Sequence, residues 1–563
     1  MADGINRYNG FLNIYKEAGW TSMDVCAKLR GILGMRKIGH AGTLDPMAEG
    51  VLPVALGRAT KDVTLVGDGT KTYEAGLLLG QTTDTQDVTG TVLSVYDGPM
   101  PDAEAVREAM FSFVGRYEQL TPMYSARKVN GKKLYEYARA GKEVERKSKQ
   151  VEILSIEILS MDLPHVRFRV TCTKGTYVRT LCHDIGEKLQ CGGCMESLLR
   201  TQVGTFQLDT ALRLSQVEEW RDQGRVDEAL VVKAPTAVAL GKFDGTHVGH
   251  QALFRTLRRV AAEHGLRTCV LILDFSAKSL EDRSARKREL YAFGIDYVIE
   301  LPLNAALMRM TAEDFLRKIL LEKLNMHAIV AGKDVSFGYQ KAGNAAFLKA
   351  HAEEAGYLVE LIDKVELQLS EALPEAAGTF TSTDTSADAS GTSDGSAIVV
   401  SSSRVREELL AGRMENAAVL LGKPYCLSGT VVHGRHLGQT VLGFPTMNIN
   451  VAAEMLLPPF GVYAVRLRFA DGSSYDGIAN LGKKPTVTQS EEEAPVNLET
   501  YVFDYSGDAY GREISVALLK FIRPERKFRD LQELKEQLLE KDVRVAKQFL
   551  QCMGKTSAFR LLF

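Results

Sequence analysis

Two histidines three apart, His247 and His250, close the stretch Leu240-Gly-Lys-Phe-Asp-Gly-Thr-His-Val-Gly-His250. At the first turn of a helix that spacing puts both imidazoles on one face. The turn amides around Gly241, Asp244 and Gly245, with the positive end of the helix dipole, are suited to holding phosphates beside them. Donors placed there stabilise charge gathering on phosphoryl oxygens, so the fitting chemistry is attack on a nucleotide's α-phosphate. The plainer alternative is a pair of helix-capping histidines. Far downstream, Val400-Ser-Ser-Ser-Arg-Val-Arg406 enters a helix running through Leu410. The hydroxyls of Ser402 and Ser403 with Arg406, at a helix start, make a second phosphate cradle. A third candidate is Asp45, the one carboxylate of the glycine-dense loop Lys37-Ile-Gly-His-Ala-Gly-Thr-Leu-Asp-Pro46. An Asp before Pro is by itself most often a turn-former.

The elements around these residues divide the chain. A strand from Asn9 to Ile14 and a helix from about Met23 to Leu33 precede the Asp45 loop, and Val166 to Thr173 alternates as a strand. Trp220 to Pro235 reads as a charged linker helix. The strand Ala237 to Leu240 then leads into the histidine turn and a helix from Val248 to His264, stopped at Gly265. Strands expected at 269–273, 297–299, 328–331 and 357–362 alternate with helix-length segments. That pattern implies a doubly wound parallel sheet with its ligand at the strands' carboxyl ends, where the histidines sit. The stretch 376–397 is nearly all Ser, Thr, Asp, Gly and Ala, and is expected to be a disordered insertion. From Tyr425 short alternating strands predict a small antiparallel barrel, with a closing helix from Leu531 to Leu550. No P-loop occurs.

The length of 563 residues suits three or four domains, and 45% apolar with 25% charged residues is an ordinary soluble composition. The net charge of −2 confines any nucleic-acid surface to a local patch. One such patch lies between Arg127 and Lys149, with nine Lys/Arg against three Asp/Glu and Tyr135 and Tyr137 interleaved. No apolar run is long enough for a membrane span and no signal segment opens the chain, so the expected compartment is the cytoplasm. Eight cysteines fit reduced thiols; Cys191-Gly-Gly-Cys194 has ligand spacing but no second pair answers it, so zinc is not expected.

The N-terminal segment resembles the tRNA pseudouridine-55 synthase family. The likeness rests on Gly39-His-Ala-Gly-Thr-Leu-Asp-Pro-Met-Ala-Glu-Gly-Val-Leu52, Gly57-Arg-Ala-Thr-Lys61, Lys71-Thr-Tyr73, Gly80-Gln-Thr-Thr-Asp-Thr-Gln-Asp87, Pro122-Met-Tyr-Ser-Ala-Arg-Lys128 and Lys174-Gly-Thr-Tyr-Val-Arg179. It implies Asp45 as nucleophile, Tyr73 stacking on the target base, Arg179 keeping Asp45 ionised, and His40 filling the gap left by the flipped nucleotide. The partner implied is the tRNA T-arm, with no cofactor. These roles are physically consistent, since a uridine buried in folded RNA must be flipped out to be reached, and a guanidinium opposes the neutralisation of a buried carboxylate. After Val203-Gly-Thr-Phe206 the family's accessory RNA-binding domain is expected to be missing, and Glu17 stands where the family commonly has proline.

The second half resembles the nucleotidyltransferase superfamily, and specifically the bacterial bifunctional riboflavin kinase/FMN adenylyltransferases. The carriers are His247 and His250 with the serine motif, Gly332-Lys-Asp-Val-Ser-Phe-Gly338, which adds Asp334, and a set of barrel segments. Those are Gly429-Thr-Val-Val-His-Gly434, Gly443-Phe-Pro-Thr-Met-Asn448, Gly461-Val-Tyr463, Asn480-Leu-Gly482 and Leu498-Glu-Thr-Tyr501. The resemblance implies that Thr446 and Asn448 hold Mg²⁺ and ATP phosphates and that Glu499 is the general base. Riboflavin, FMN and FAD are then substrates and products. Lys242 replaces a common asparagine, Val335 and Ser336 depart from aromatic and basic residues, and Asp274-Phe-Ser-Ala-Lys278 replaces Phe-Asp-Pro-His-Pro.

The expected architecture is a mixed α+β and α/β multidomain chain. It comprises a pseudouridine synthase domain over 1–233, a doubly wound adenylyltransferase domain over 234–410 and a riboflavin kinase barrel over 411–563. The expected function is tRNA pseudouridylation joined to FMN and FAD synthesis, with no membrane and no obligatory protein partner. Three alternatives remain open: an N-terminal half that only binds or folds RNA, a middle domain that only supports the kinase, and a different nucleotidyltransferase specificity such as cytidylyl transfer to another phosphate ester, which competition with CTP would expose.

Overall fold

The structure is a computed structural model of the full chain. It describes residues 7–67, 69–125, 128–129, 131–142, 144–274, 278–367, 397–432, 446–483, 495–526 and 528–553. The insertion expected over 376–397 falls outside these except for Ala397, as do residues 126–127, 275–277, 433–434 and 443–445 of the motifs.

The N-terminal sheet has nine strands and is antiparallel except where Gly193–Val203 pairs with Glu49–Leu56. Its order places Lys71–Leu79 between Gly193–Val203 and His165–Cys172. The short strand Ile38–His40 pairs antiparallel with Glu49–Leu56, so the residues between them, including Asp45, form the connecting loop. The helix Ser22–Leu33 opens on a capping box in which Thr21 and Asp24 bond each other's backbone amides. The helix Val178–Lys188 carries Arg179 in its first turn and lies so close to the sheet that a Cβ on Gly186 would sit 2.1 Å from the Gly193 nitrogen. Only glycine permits that approach.

The middle sheet is five-stranded and parallel, as expected. Its order is Tyr297–Pro302, Arg267–Asp274, Thr236–Gly241, Met326–Gly332, Leu358–Ile362. The order reverses direction at Thr236–Gly241, so the ligand crevice is expected where that strand and Met326–Gly332 end. The C-terminal sheet is antiparallel and six-stranded, and curls until Val432 bridges Asn448. The closing helical run, from Leu531 to Met553 with a π segment at Glu536–Asp542, packs Ala546, Leu550 and Met553 onto it.

The expected linker helix from Trp220 to Pro235 does not form. Two shorter helices, Leu214–Asp222 and Val226–Ala229, take its place. Val226, Leu230 and Val232 are buried, and Val231 exchanges both backbone hydrogen bonds with Phe11. The apolar residues outweigh the charges, so the segment covers the free edge of strand Gly10–Lys16. One continuous core then runs from Phe11, Leu12 and Ile14 through Leu230 and Val232 to Val238, Leu271, Tyr297 and Ile329. Polar ties reinforce the junction: Asn9 Nδ2 donates to Tyr291 Oη at 2.7 Å, Lys287 pairs with Asp227 at 2.5 Å, and Tyr297 donates to Asp62.

Candidate functional sites

In the N-terminal domain Arg179 Nη1 stands 3.3 Å from Asp45 Oδ2 and 3.8 Å from Asp87 Oδ2. Asp87 was within a quoted motif but had no expected role. Its other oxygen accepts from Thr85 Oγ1, Thr89 N and Thr89 Oγ1, which fixes the carboxylate with Oδ2 towards Arg179. The flanking threonines were the available signal, since Thr-x-Asp-x-Thr is a self-capping turn. Burial pushes the Asp45 pKa up, Arg179 and Lys16 oppose it, and Asp87 adds to it. The net direction is upward, with Arg179 working against the shift. Its guanidinium is shared with a second carboxylate.

Two buried cations grip the Asp45 loop by its backbone. Lys16 Nζ donates to the carbonyls of Pro46 and Ala48, and burial lowers its pKa to about 8. Arg200, fully buried, donates to the carbonyls of Val51, Thr43 and Gly42. Arg200 also borders Tyr73, whose phenol burial raises to about 12. His40 is half-buried on the neighbouring strand, with its pKa lowered by burial and then by Arg200. In the basic segment Lys132, Lys142, Lys147 and Lys149 are exposed.

In the middle domain a cavity of about 740 Å³ opens at the expected strand ends, lined among others by Gly241, His247, His250, Asp334 and Ser402. The two imidazoles stack with centroids 3.6 Å apart, and His247 Nδ1 accepts from the His250 amide at 3.3 Å. Burial lowers the His247 pKa to about 4, and burial with His247 beside it lowers that of His250 well below the ordinary value, so both rings are neutral at neutral pH. His250 Nδ1 is buried with no hydrogen-bond partner. Phe243 and Thr246 adopt positive φ of 49° and 37°, a strained backbone of the kind that clusters at functional turns.

Asp244, Gly245, Ser403 and Arg406 are not among the residues that line this cavity. Arg406 pairs with buried Asp244 at 2.5 Å and bonds the Lys278 carbonyl. Ser402 Oγ donates to the Asp244 carbonyl at 3.2 Å. Gly245 packs between Leu280 and Leu421, and Ser403 is exposed. These residues brace the serine helix against the histidine turn, because a buried carboxylate takes the nearest guanidinium.

The neutral histidines carry an acid sensitivity. The folded pKa of His247 is depressed, so below 6.5 the unfolded chain takes up a proton that the buried ring refuses down to about pH 4. Its contribution is therefore unfavourable across that window and absent above it. His247→Gln is expected to lose less melting temperature than wild type between neutral pH and about pH 4.5. Superimposable melting curves at both pH values would contradict this assignment.

In the C-terminal sheet Asn448 lies directly opposite Glu499, and Thr446 Oγ1 donates to Glu499 Oε1 at 2.8 Å. Asn448 is buried. All three expected residues meet across two neighbouring strands. Among the described residues no three His, Cys, Asp or Glu side chains cluster as a metal site, and no helix is long and apolar enough to cross a membrane.

Four family descriptions match successive parts of the chain. They are the TruB family pseudouridylate synthase N-terminal domain over 30–178, the tRNA pseudouridylate synthase B C-terminal domain over 179–235, FAD synthetase over 231–372 and riboflavin kinase over 421–550. The tRNA pseudouridine synthase B of Lachnoclostridium phytofermentans is 53% identical over 231 residues, 40% of this chain and 75% of that protein. The one from Geobacter sulfurreducens is 43% identical over 265 residues, 46% of this chain and 86% of that protein. The crystal structure of riboflavin kinase from Trypanosoma brucei covers 23% of this chain and 81% of its own at 26% identity, with a TM-score of 0.18. With 53% identity across 75% of the Lachnoclostridium phytofermentans protein, the chain belongs to the tRNA pseudouridine synthase B family, and it continues into FAD synthetase and riboflavin kinase domains on the same polypeptide.

Proposed function

We propose that this chain converts the T-loop uridine of tRNA to pseudouridine at Asp45, phosphorylates riboflavin at Glu499, and adenylylates FMN at the His247/His250 turn. The observation supporting it is the meeting of residues far apart in sequence: Asp45 with Arg179, His247 and His250 with Ser402 around one cavity, and Thr446 with Glu499.

In the first site Asp45 attacks the flipped nucleotide so that its glycosidic bond can be rebuilt from nitrogen to carbon, and Tyr73 supplies the face on which the base stacks. Arg179 favours the ionised nucleophile against the burial that opposes it. The exposed lysines at 132, 142, 147 and 149 suit the phosphates of the T-arm. In the middle site an FMN phosphate oxygen bonds to the α-phosphorus of ATP while the α–β bridging bond breaks and pyrophosphate leaves. The neutral imidazoles donate hydrogen bonds to the oxygens on which charge grows.

In the third site Glu499 takes the ribityl hydroxyl proton as that oxygen attacks the γ-phosphorus, and ADP leaves. Thr446 orients the carboxylate through its hydroxyl. The oxygen donors of Thr446 and Asn448 fit Mg²⁺, which prefers few protein ligands plus substrate phosphates. When bound it would neutralise charge on those phosphates.

The test is chromatography of the purified chain incubated with riboflavin, ATP and Mg²⁺. FMN followed by FAD is the expected result. FMN without FAD, even when FMN is supplied, would leave the middle domain as a support for the kinase. Neither product would refute the flavin half of the reading.

A further inference from the structure

The histidine turn of the middle domain is gripped from behind by the start of the kinase domain. Lys423 follows the helix Met414–Leu421 and precedes the first barrel strand, Tyr425–Thr430. Its Nζ reaches back 3.0 Å to Thr246 Oγ1 and 2.7 Å to Glu281 Oε1, and also contacts Glu289, to which Thr246 Oγ1 itself donates. Thr246 is fully buried, has φ of 37°, and immediately precedes His247. Its carbonyl accepts from Gln251 Nε2 at 3.2 Å, and the same amide group donates to the Leu421 carbonyl at 3.0 Å. Both polar groups of the strained residue are thus tied, directly or through one side chain, to residues 421–423.

Burial works against the Lys423 charge, but Glu281 and Glu289 outweigh it and its pKa moves up, so Lys423 stays charged. Burial raises the Glu281 carboxyl to about 7, with Lys423 opposing that shift and Glu289 adding to it. A left-handed conformation at a β-branched residue persists only where its surroundings over-determine it. No other described cation pairs with Glu281 or Glu289.

We propose that Lys423 is a positioning residue for adenylyl transfer: by holding Thr246 in its strained conformation directly and through Glu289, it sets the placement of His247 and His250. The proposal rests on the reading of that turn as the adenylyl-transfer site. It makes the adenylyltransferase dependent on a kinase-side residue that touches neither ATP nor FMN.

The experiment compares wild type, Lys423→Met and Lys423→Arg as full-length chains, measuring FAD formation from FMN and ATP beside FMN formation from riboflavin. A misplaced catalytic turn loses rate rather than substrate affinity, so Lys423→Met is expected to lower kcat for FAD formation on the order of 10–100-fold with KM little changed. The kinase rate should stay at wild type, and Lys423→Arg should recover most of the loss. A wild type that makes no FAD removes the underlying site reading. A wild type that makes FAD, with Lys423→Met matching it or losing only in KM, overturns the positioning role alone. Should Lys423→Met impair both activities, the triple variant Lys423→Met/Glu281→Gln/Glu289→Gln removes the stranded carboxylates. Recovery of the kinase alone then supports the proposal, whereas recovery of both or of neither overturns it.

Discussion

Asp45→Asn abolishes pseudouridine formation, with an expected loss on the order of 10⁴-fold or more, while tRNA binding persists. The amide is isosteric but cannot serve as the nucleophile. The loop does not depend on the carboxylate for its shape, because Lys16 and Arg200 hold it by backbone carbonyls on either side of residue 45. Arg179 keeps Asp87 and the Tyr124 carbonyl as partners. Burial already disfavours the Asp45 charge, so the neutral amide should leave the melting temperature unchanged or raise it. Nucleoside chromatography of treated tRNA reads the activity and filter binding reads the affinity. Pseudouridine made by the Asn variant at an appreciable rate would exclude Asp45 as nucleophile. Lost binding would mean the carboxylate organises the RNA surface.

Glu499→Gln separates the two flavin activities. The variant is expected to phosphorylate riboflavin ~10²–10⁴-fold more slowly, having lost the base that accepts the hydroxyl proton. Gln retains an acceptor for Thr446, so the pairing of the two strands should stand. The adenylyl site lies in a different sheet, and FAD formation from supplied FMN should proceed at the wild-type rate. With riboflavin as sole flavin, FAD should form no faster than the slowed kinase supplies FMN; with FMN supplied, it should form at the wild-type rate. A variant that still phosphorylates riboflavin at near wild-type rate would move the base elsewhere.

The strands of the middle sheet were legible because fully buried parallel strands read as short apolar runs between helix-length segments. The neighbourhood of the histidine turn was legible too, since spacing alone puts His247 and His250 on one face. The Arg406 partner was not. A local reading sees serines and an arginine at a helix start and expects an anion, whereas the fold brings Asp244 from 162 positions away to take the guanidinium. Lys16 and Arg200 left no signal for a related reason. Charged residues are taken to be on the surface, and nothing in their flanking sequence announces carbonyls that only the folded loop supplies. The segment after Trp220 misled in the opposite sense: its charges suggested a solvated linker, and four well-placed apolar residues overruled them.

That covering segment bears on how the polypeptide can be synthesised. The strand Gly10–Lys16 is among the earliest residues made, yet its outer edge stays open until Leu212 and Val231 arrive to pair with Ile14 and Phe11. The core it belongs to is completed only by residues as late as Ile329 and Tyr357. During translation the β-edge stays unpaired until residue 231 is made and the apolar face stays unfilled until the middle sheet follows, a state prone to association with other nascent chains. A ribosome stalled before residue 231 holds an N-terminal enzyme with an open seam, and cutting the gene at that boundary would make the seam permanent.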